Sequence, residues 1–102
     1  MVIVALPGDL GKPRPAVIVQ SDDYGHTASV VILPITSTIV DGSFIRVVVV
    51  PDGQNGLREI SQVMTDKITS TPRTRVGQVI GVLDPKDLSD IEARLARLLG
   101  LA

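Results

Sequence analysis

Arg14 stands between two prolines, Pro13 and Pro15, at the front of the stretch KPRPAVIVQ, residues 12–20. Proline fixes its own φ and pushes the residue before it towards extended geometry. The guanidinium therefore leaves a stiff backbone at the mouth of an aliphatic run. Arginine keeps its charge at any physiological pH and offers a planar fork of donors that matches phosphate. Further along, PITST (34–38) sets three hydroxyls, Thr36, Ser37 and Thr38, at the end of another aliphatic run. A threonine hydroxyl can donate to or accept from a phosphoryl or ribose oxygen, and groups at strand ends are held more firmly than groups in free loops. Together these residues suit an anionic phosphate ester. Arg14 also reads as a solvated charge at a strand mouth, and Thr36 as a hydroxyl satisfying local backbone. Residue types alone leave both readings open.

Other chemistries are poorly supplied. The chain has no cysteine, which excludes disulfides, thiolate zinc sites and thiol nucleophiles. One histidine, His26, follows DDYG in a turn and reads as an exposed loop residue rather than a general base. The adjacent Asp22 and Asp23 read as turn formers rather than metal ligands. PGDLGKP (7–13) has a lysine after glycine, but neither the spacing nor a following helix of a phosphate-binding P-loop. No cofactor or metal is expected.

Ten basic and eleven acidic residues nearly cancel, so nucleic acid cannot be held by bulk charge and would need a local basic patch. Lys67, Arg73 and Arg75 are candidates for one, with a solvated charged edge as the plainer reading. The longest apolar run, VVVV at 47–50, is far short of a membrane span. No basic segment followed by a long apolar one opens the chain, so a cytoplasmic protein without membrane contact is expected.

The positioning elements follow from the pattern. At 102 residues and 44% apolar, the chain is expected to form one domain, residues 1–102, with a core of Val, Ile and Leu. Strands are predicted at 2–6, 14–21, 28–36, 44–50, 58–64 and 75–83. The unbroken run Ala16–Val19 predicts a strand covered on both faces. Pro34 predicts a bulge or an edge, and Gly77 and Gly81 a close backbone approach. PDGQNG (51–56) is the strongest turn signal. TDKITSTPRT reads as irregular, with at most a helical turn. A helix begins after Asp84 as N-cap with Pro85 in first position. Leu88, Ile91, Leu95 and Leu98 share its inner face, and Asp90 and Arg94 can pair one turn apart. Short strands at hairpin spacing followed by one helix predict a mainly β fold: a small, strongly curved sheet or barrel with a C-terminal helix.

The stretches ALPGDLGKPRPAVIVQSDD, VVILPITS, EISQVMTDKI and IGVLDPKDLSDIEARLARLLGL resemble, in order and across nearly the whole chain, the MazF/PemK family of toxins from bacterial toxin–antitoxin pairs. RPAVIVQ followed by PITS carries most of the specificity. The resemblance implies an SH3-like β-barrel, a homodimer, and a sequence-selective endoribonuclease that cuts single-stranded mRNA without a metal. It implies attack by the RNA 2′-OH, with Arg14 and Thr36 at the family's catalytic positions. It further implies a cognate antitoxin as partner. Lys12, Ser37, Gln62, Lys67, Arg73 and Arg75 are then candidates for RNA contact. Gln62 and Asp66 fall where the family often carries EQIRTID, but the cation of that run is replaced by Met64. Two alternatives share the scaffold: a CcdB-like gyrase poison, and an inactive binding module. KPRP and PITS favour the ribonuclease over the first, as does the absence of the Trp-Ile ending associated with the CcdB branch.

Overall fold

The computed structural model describes residues 1–8 and 12–102, so the middle of the loop predicted at 7–13 lies outside the described residues. Seven strands are described: β1 (Val2–Leu6), β2 (Arg14–Ile18), β3 (Ser29–Thr36), β4 (Val47–Val49), β5 (Ser61–Val63), β6 (Thr69–Pro72) and β7 (Val79–Val82), followed by a helix α1 (Pro85–Leu98). The sheet runs in the order β4-β5-β3-β2-β1-β7, with β6 joined to β3 off this path. All described pairings are antiparallel. The result is a half-barrel with a C-terminal helix, as the pattern of short strands predicted.

β3 organises the sheet. One of its edges pairs with β2, from Ala16↔Pro34 to Ile18↔Ile32. The other pairs first with β6, from Ser29↔Pro72 to Ile32↔Thr69, and then with β5 at Ile35↔Val63 and Thr36↔Gln62. Pro34 falls where β6 gives way to β5. Its carbonyl accepts from the Met64 N–H at 2.9 Å. In an antiparallel strand the N and O of one residue face the same edge, so the donor that proline lacks would have faced the gap between partners. This is how an interior strand accommodates a proline.

β2 explains its own continuous apolar run. Val17 joins the main core with Ile3, Leu33, Ile35, Val47, Val49, Val63, Leu83 and Ile91. Ala16 faces the other way, into a second cluster with Val30 and Ile32. Both faces are covered, so neither residue can be polar. The strand ends earlier than the predicted 14–21 because Gln20 substitutes a side chain for the ladder: its Oε1 accepts from Val31 N at 3.2 Å.

Several boundaries contract in the same way. β4 starts at Val47 because the Ser43 hydroxyl caps a bend, accepting from Ile45 N and Arg46 N at 3.2 and 3.1 Å. β6 is a strand where the sequence reads as irregular; it pairs along β3, and its residues Thr-Ser-Thr-Pro bury little. Gly81 does provide a close approach: a Cβ there would lie 2.2 Å from the backbone of Asn55. The helix is capped as predicted, with Asp84 Oδ1 accepting from Asp87 N at 2.8 Å. Ile91 is fully buried, but Leu98 is exposed rather than on the inner face. Arg94 donates to the carbonyls of Phe44 and Arg46 at 2.6 and 3.3 Å, a use of that side chain other than the predicted pairing with Asp90. It ties the helix to the chain leading into β4.

Candidate active site

The first residue of β2 and the last of β3 meet in one cleft. A depression of about 790 Å³ is lined by Lys12, Arg14, Thr36, Ser37 and Thr38 together with Gly56 to Glu59, Ser61 and apolar residues of β1, β3 and β7. Adjacent antiparallel strands bring this about. β2 starts at the rim where β3 ends, since Ala16 pairs with Pro34, which puts Arg14 level with Thr36. The charged groups of the described lining are three cations, Lys12, Arg14 and Arg58, against one carboxylate, Glu59. This is the local basic patch that a chain of net charge −1 needs in order to hold a polyanion.

Each wall is locally fixed. Gly8 lies against Arg14: a Cβ at Gly8 would come 2.8 Å from Arg14 Cγ and 2.1 Å from the Lys12 carbonyl oxygen. Only a residue without a side chain lets the chain fold back there. Thr36 Oγ1 accepts from Thr38 N at 3.1 Å, turning the chain sharply after β3. That bond occupies one of the hydroxyl's acceptor sites and leaves its own proton available for donation. Two residues beyond Thr38, Val40 is held by Gln62 from β5. Gln62 is 2% exposed, its Oε1 accepts from Val40 N at 3.0 Å, and its Nε2 donates to Val40 O at 2.9 Å. The amide thus pairs with a backbone residue as a strand neighbour would.

The candidate residues named from the sequence therefore separate. Arg14, Thr36, Lys12 and Ser37 line the cleft. Gln62 is buried behind it, with its amide committed to Val40, and positions the loop rather than facing the cleft. Arg73 is also committed elsewhere: its guanidinium donates to Thr27 O at 2.7 Å, to Thr27 Oγ1 at 3.3 Å and to Tyr24 O at 3.4 Å, holding the 22–27 turn. Lys67 and Arg75 are exposed but do not line the cleft. Asp66 pairs with Arg46 at 3.2 Å, and the guanidinium holds its carboxyl below the usual carboxylate range. Sequence reasoning missed Arg58 and Glu59. They follow the strong turn at 51–56, which packs its Asn55 against β7 and so delivers the next residues to the rim.

A second depression, of about 630 Å³, lies between α1 and the β1–β2 edge. Its lining is mostly apolar and carries Asp22 and Glu92 but no lysine or arginine. It does not suit a phosphate chain.

The molecule is a bent antiparallel half-barrel with a C-terminal helix and a cationic, hydroxyl-rich cleft where strand ends meet. Residues 1–99 match the family described as the PemK-like, MazF-like toxin of type II toxin–antitoxin systems, and the chain belongs to this family. It is 36% identical over 92 residues to a probable endoribonuclease MazF of Mycolicibacterium smegmatis, spanning 90% of this chain and 84% of that one. Among solved structures it is similar to the Mycobacterium tuberculosis toxin MazF-mt6, with a TM-score of 0.83 and 28% identity over 100% of this chain and 99% of that one. It is also similar to a mycobacterial endoribonuclease in complex with its cognate antitoxin, with a TM-score of 0.80 and 25% identity over 98% and 93% of the two chains. Among the described residues, no helix is long and apolar enough to cross a membrane.

Proposed function

We propose that this chain is a sequence-selective endoribonuclease toxin that cuts single-stranded mRNA without a metal ion. A cognate antitoxin holds it in check by covering the Arg14 cleft. The substrate supplies the nucleophile. The ribose 2′-oxygen loses its proton to water and bonds to the adjacent phosphorus as the P–O5′ bond breaks, and the leaving 5′-oxygen takes up a proton, leaving a cyclic phosphate and a 5′-hydroxyl. Negative charge spreads over the five-coordinate phosphorus, and a fixed guanidinium stabilises that state more than the ground state. Arg14 takes this role and Thr36 donates to a phosphoryl oxygen. Lys12 and Ser37 hold the flanking backbone. DNA lacks the 2′-OH and resists cleavage. The protein acts as a homodimer in the cytoplasm.

One observation carries the reading: Arg14 and Thr36, named from separate stretches of sequence, line the same cationic cleft. The test is incubation with a mixed-sequence RNA in EDTA, followed by mapping of the new ends. Cuts bearing cyclic phosphates, lost in Arg14→Ala with the fold intact, are expected. RNA left intact by the wild-type protein, or cut equally well by Arg14→Ala, overturns the proposal.

A further inference from the structure

The cleft holds one group that binding a phosphate chain does not explain. Glu59 is the one carboxylate among its described lining residues, which also include the cations Lys12, Arg14 and Arg58. A carboxylate repels phosphodiesters and accepts hydrogen bonds without donating them. Beside RNA it gains where it meets a donor on the nucleotide. Its backbone is fixed: the Ser61 hydroxyl donates to the Glu59 carbonyl at 2.9 Å where the chain turns into β5. β5 in turn pairs Gln62 with Thr36. Glu59 is thereby tied to the strand pair that carries Thr36, the proposed donor to a phosphoryl oxygen. No aromatic ring is among the described lining residues, so stacking on an aromatic platform cannot select a base there. Selection falls to hydrogen bonds on base edges, the usual mode for splayed single-stranded RNA. The cleft volume is in the range that accepts a small-molecule-sized group, which leaves room for a base beside the phosphate.

We propose that Glu59 reads a base next to the scissile phosphate by accepting a hydrogen bond from its exocyclic amino group. This assignment rests on the ribonuclease reading. Cytosine, adenine and guanine each carry such a donor. Uracil presents a carbonyl oxygen where cytosine has its amino group, and a carboxylate repels it. Glu59 therefore disfavours uracil at one position of the cleavage site, since uracil's one Watson–Crick donor is its ring N3–H. Arg58, a donor-only cation on the same wall, offsets the repulsion between Glu59 and the RNA backbone.

The test compares wild type, Glu59→Gln and Glu59→Ala on a long mixed-sequence transcript in EDTA, with cut sites mapped to the nucleotide. The wild-type protein should disfavour uracil at one position flanking the cut. Glutamine offers both a donor and an acceptor, so Glu59→Gln should admit uracil there, with discrimination falling about 10-fold or more. Glu59→Ala should lose the preference at that position and keep those elsewhere. Unchanged base preferences with all sites slowed equally would overturn the assignment and make Glu59 a participant in the reaction itself. A wild-type requirement for uracil on both sides of the cut would overturn it too. A wild-type protein that cuts no RNA fails the ribonuclease reading first, and is distinguishable from an active enzyme whose specificity ignores Glu59.

Discussion

Replacing Gln62 with alanine tests whether a buried amide shapes the cleft from behind. The substitution removes two hydrogen bonds to Val40, at 3.0 and 2.9 Å, from a side chain that is 2% exposed. Each is worth about 1 kcal/mol net, and the buried methylene lost with them adds about 0.8 kcal/mol. Val40 is half exposed, so water can satisfy its freed N–H and carbonyl, and no further penalty for orphaned groups accrues. A destabilisation of about 2–3 kcal/mol follows, read as a shift in the urea unfolding midpoint at constant slope. Hydrogen exchange locates the effect: the Val40 amide should lose protection while Val17, in the core, changes only with global stability. Gln62→Glu sharpens the test. At neutral pH it sets a carboxylate against the Val40 carbonyl. As the pH falls and the buried acid is protonated, it becomes a donor again, and the deficit should narrow. A loss below about 0.5 kcal/mol with an unchanged Val40 exchange rate would refute the account of Gln62 as a clamp.

Three further outcomes are expected. Thr36→Val deletes the hydroxyl that anchors Thr38 and faces the cleft, and should slow RNA cleavage about 100-fold, whereas Thr36→Ser keeps most activity; equal activity in both would remove Thr36 from the reaction. Gly81→Ala drives a Cβ to 2.2 Å from the Asn55 backbone, which cannot swing aside like a side chain, and should cost about 1–3 kcal/mol in thermal or urea unfolding. Burial, with Asp84 and Asp90 nearby, pushes the Asp87 carboxyl up from 3.8, so its charge opposes folding at neutral pH and that cost disappears as the pH falls through the raised value towards 3.8. Asp87→Asn leaves the Asp84 cap on the Asp87 N–H intact, and should raise stability at pH 7 by under about 1 kcal/mol, with the advantage shrinking towards pH 4 in paired urea titrations.

The sequence made local physics legible. Pro13 and Pro15 around Arg14, the Asp84–Pro85 cap and the PDGQNG turn each act within a few residues, and each is where the spacing placed it. β6 escaped notice for a physical reason. Its four residues bury little and carry no apolar alternation, so it is a strand only because β3 offers a free edge there. The pattern that betrays a strand is the pattern of burial, and a strand that buries nothing leaves no such trace.

The same limit governs the site. Charged residues were legible as charges but not as to their use. Arg73 and Arg75 are two positions apart and look equivalent, yet Arg73 reaches across 46 positions to the Thr27 carbonyl and serves as a strut. Arg94 reaches across 50 positions to Phe44 and does likewise. Arg58, which no motif marked, lines the cleft because the 51–56 turn packs on β7 through the close approach of Gly81 to Asn55. Whether a cation is a strut or a ligand is decided by which carbonyls the fold leaves within reach, and those carbonyls belong to strands far away in sequence. Arg14 shares part of this ambiguity: two prolines restrict its backbone before any tertiary partner is chosen, but residue types alone left it open between a solvated charge and a phosphate ligand. Local backbone stiffness narrows where a cation starts, and the register of β2 on β3 is what sets Arg14 level with Thr36 at the cleft.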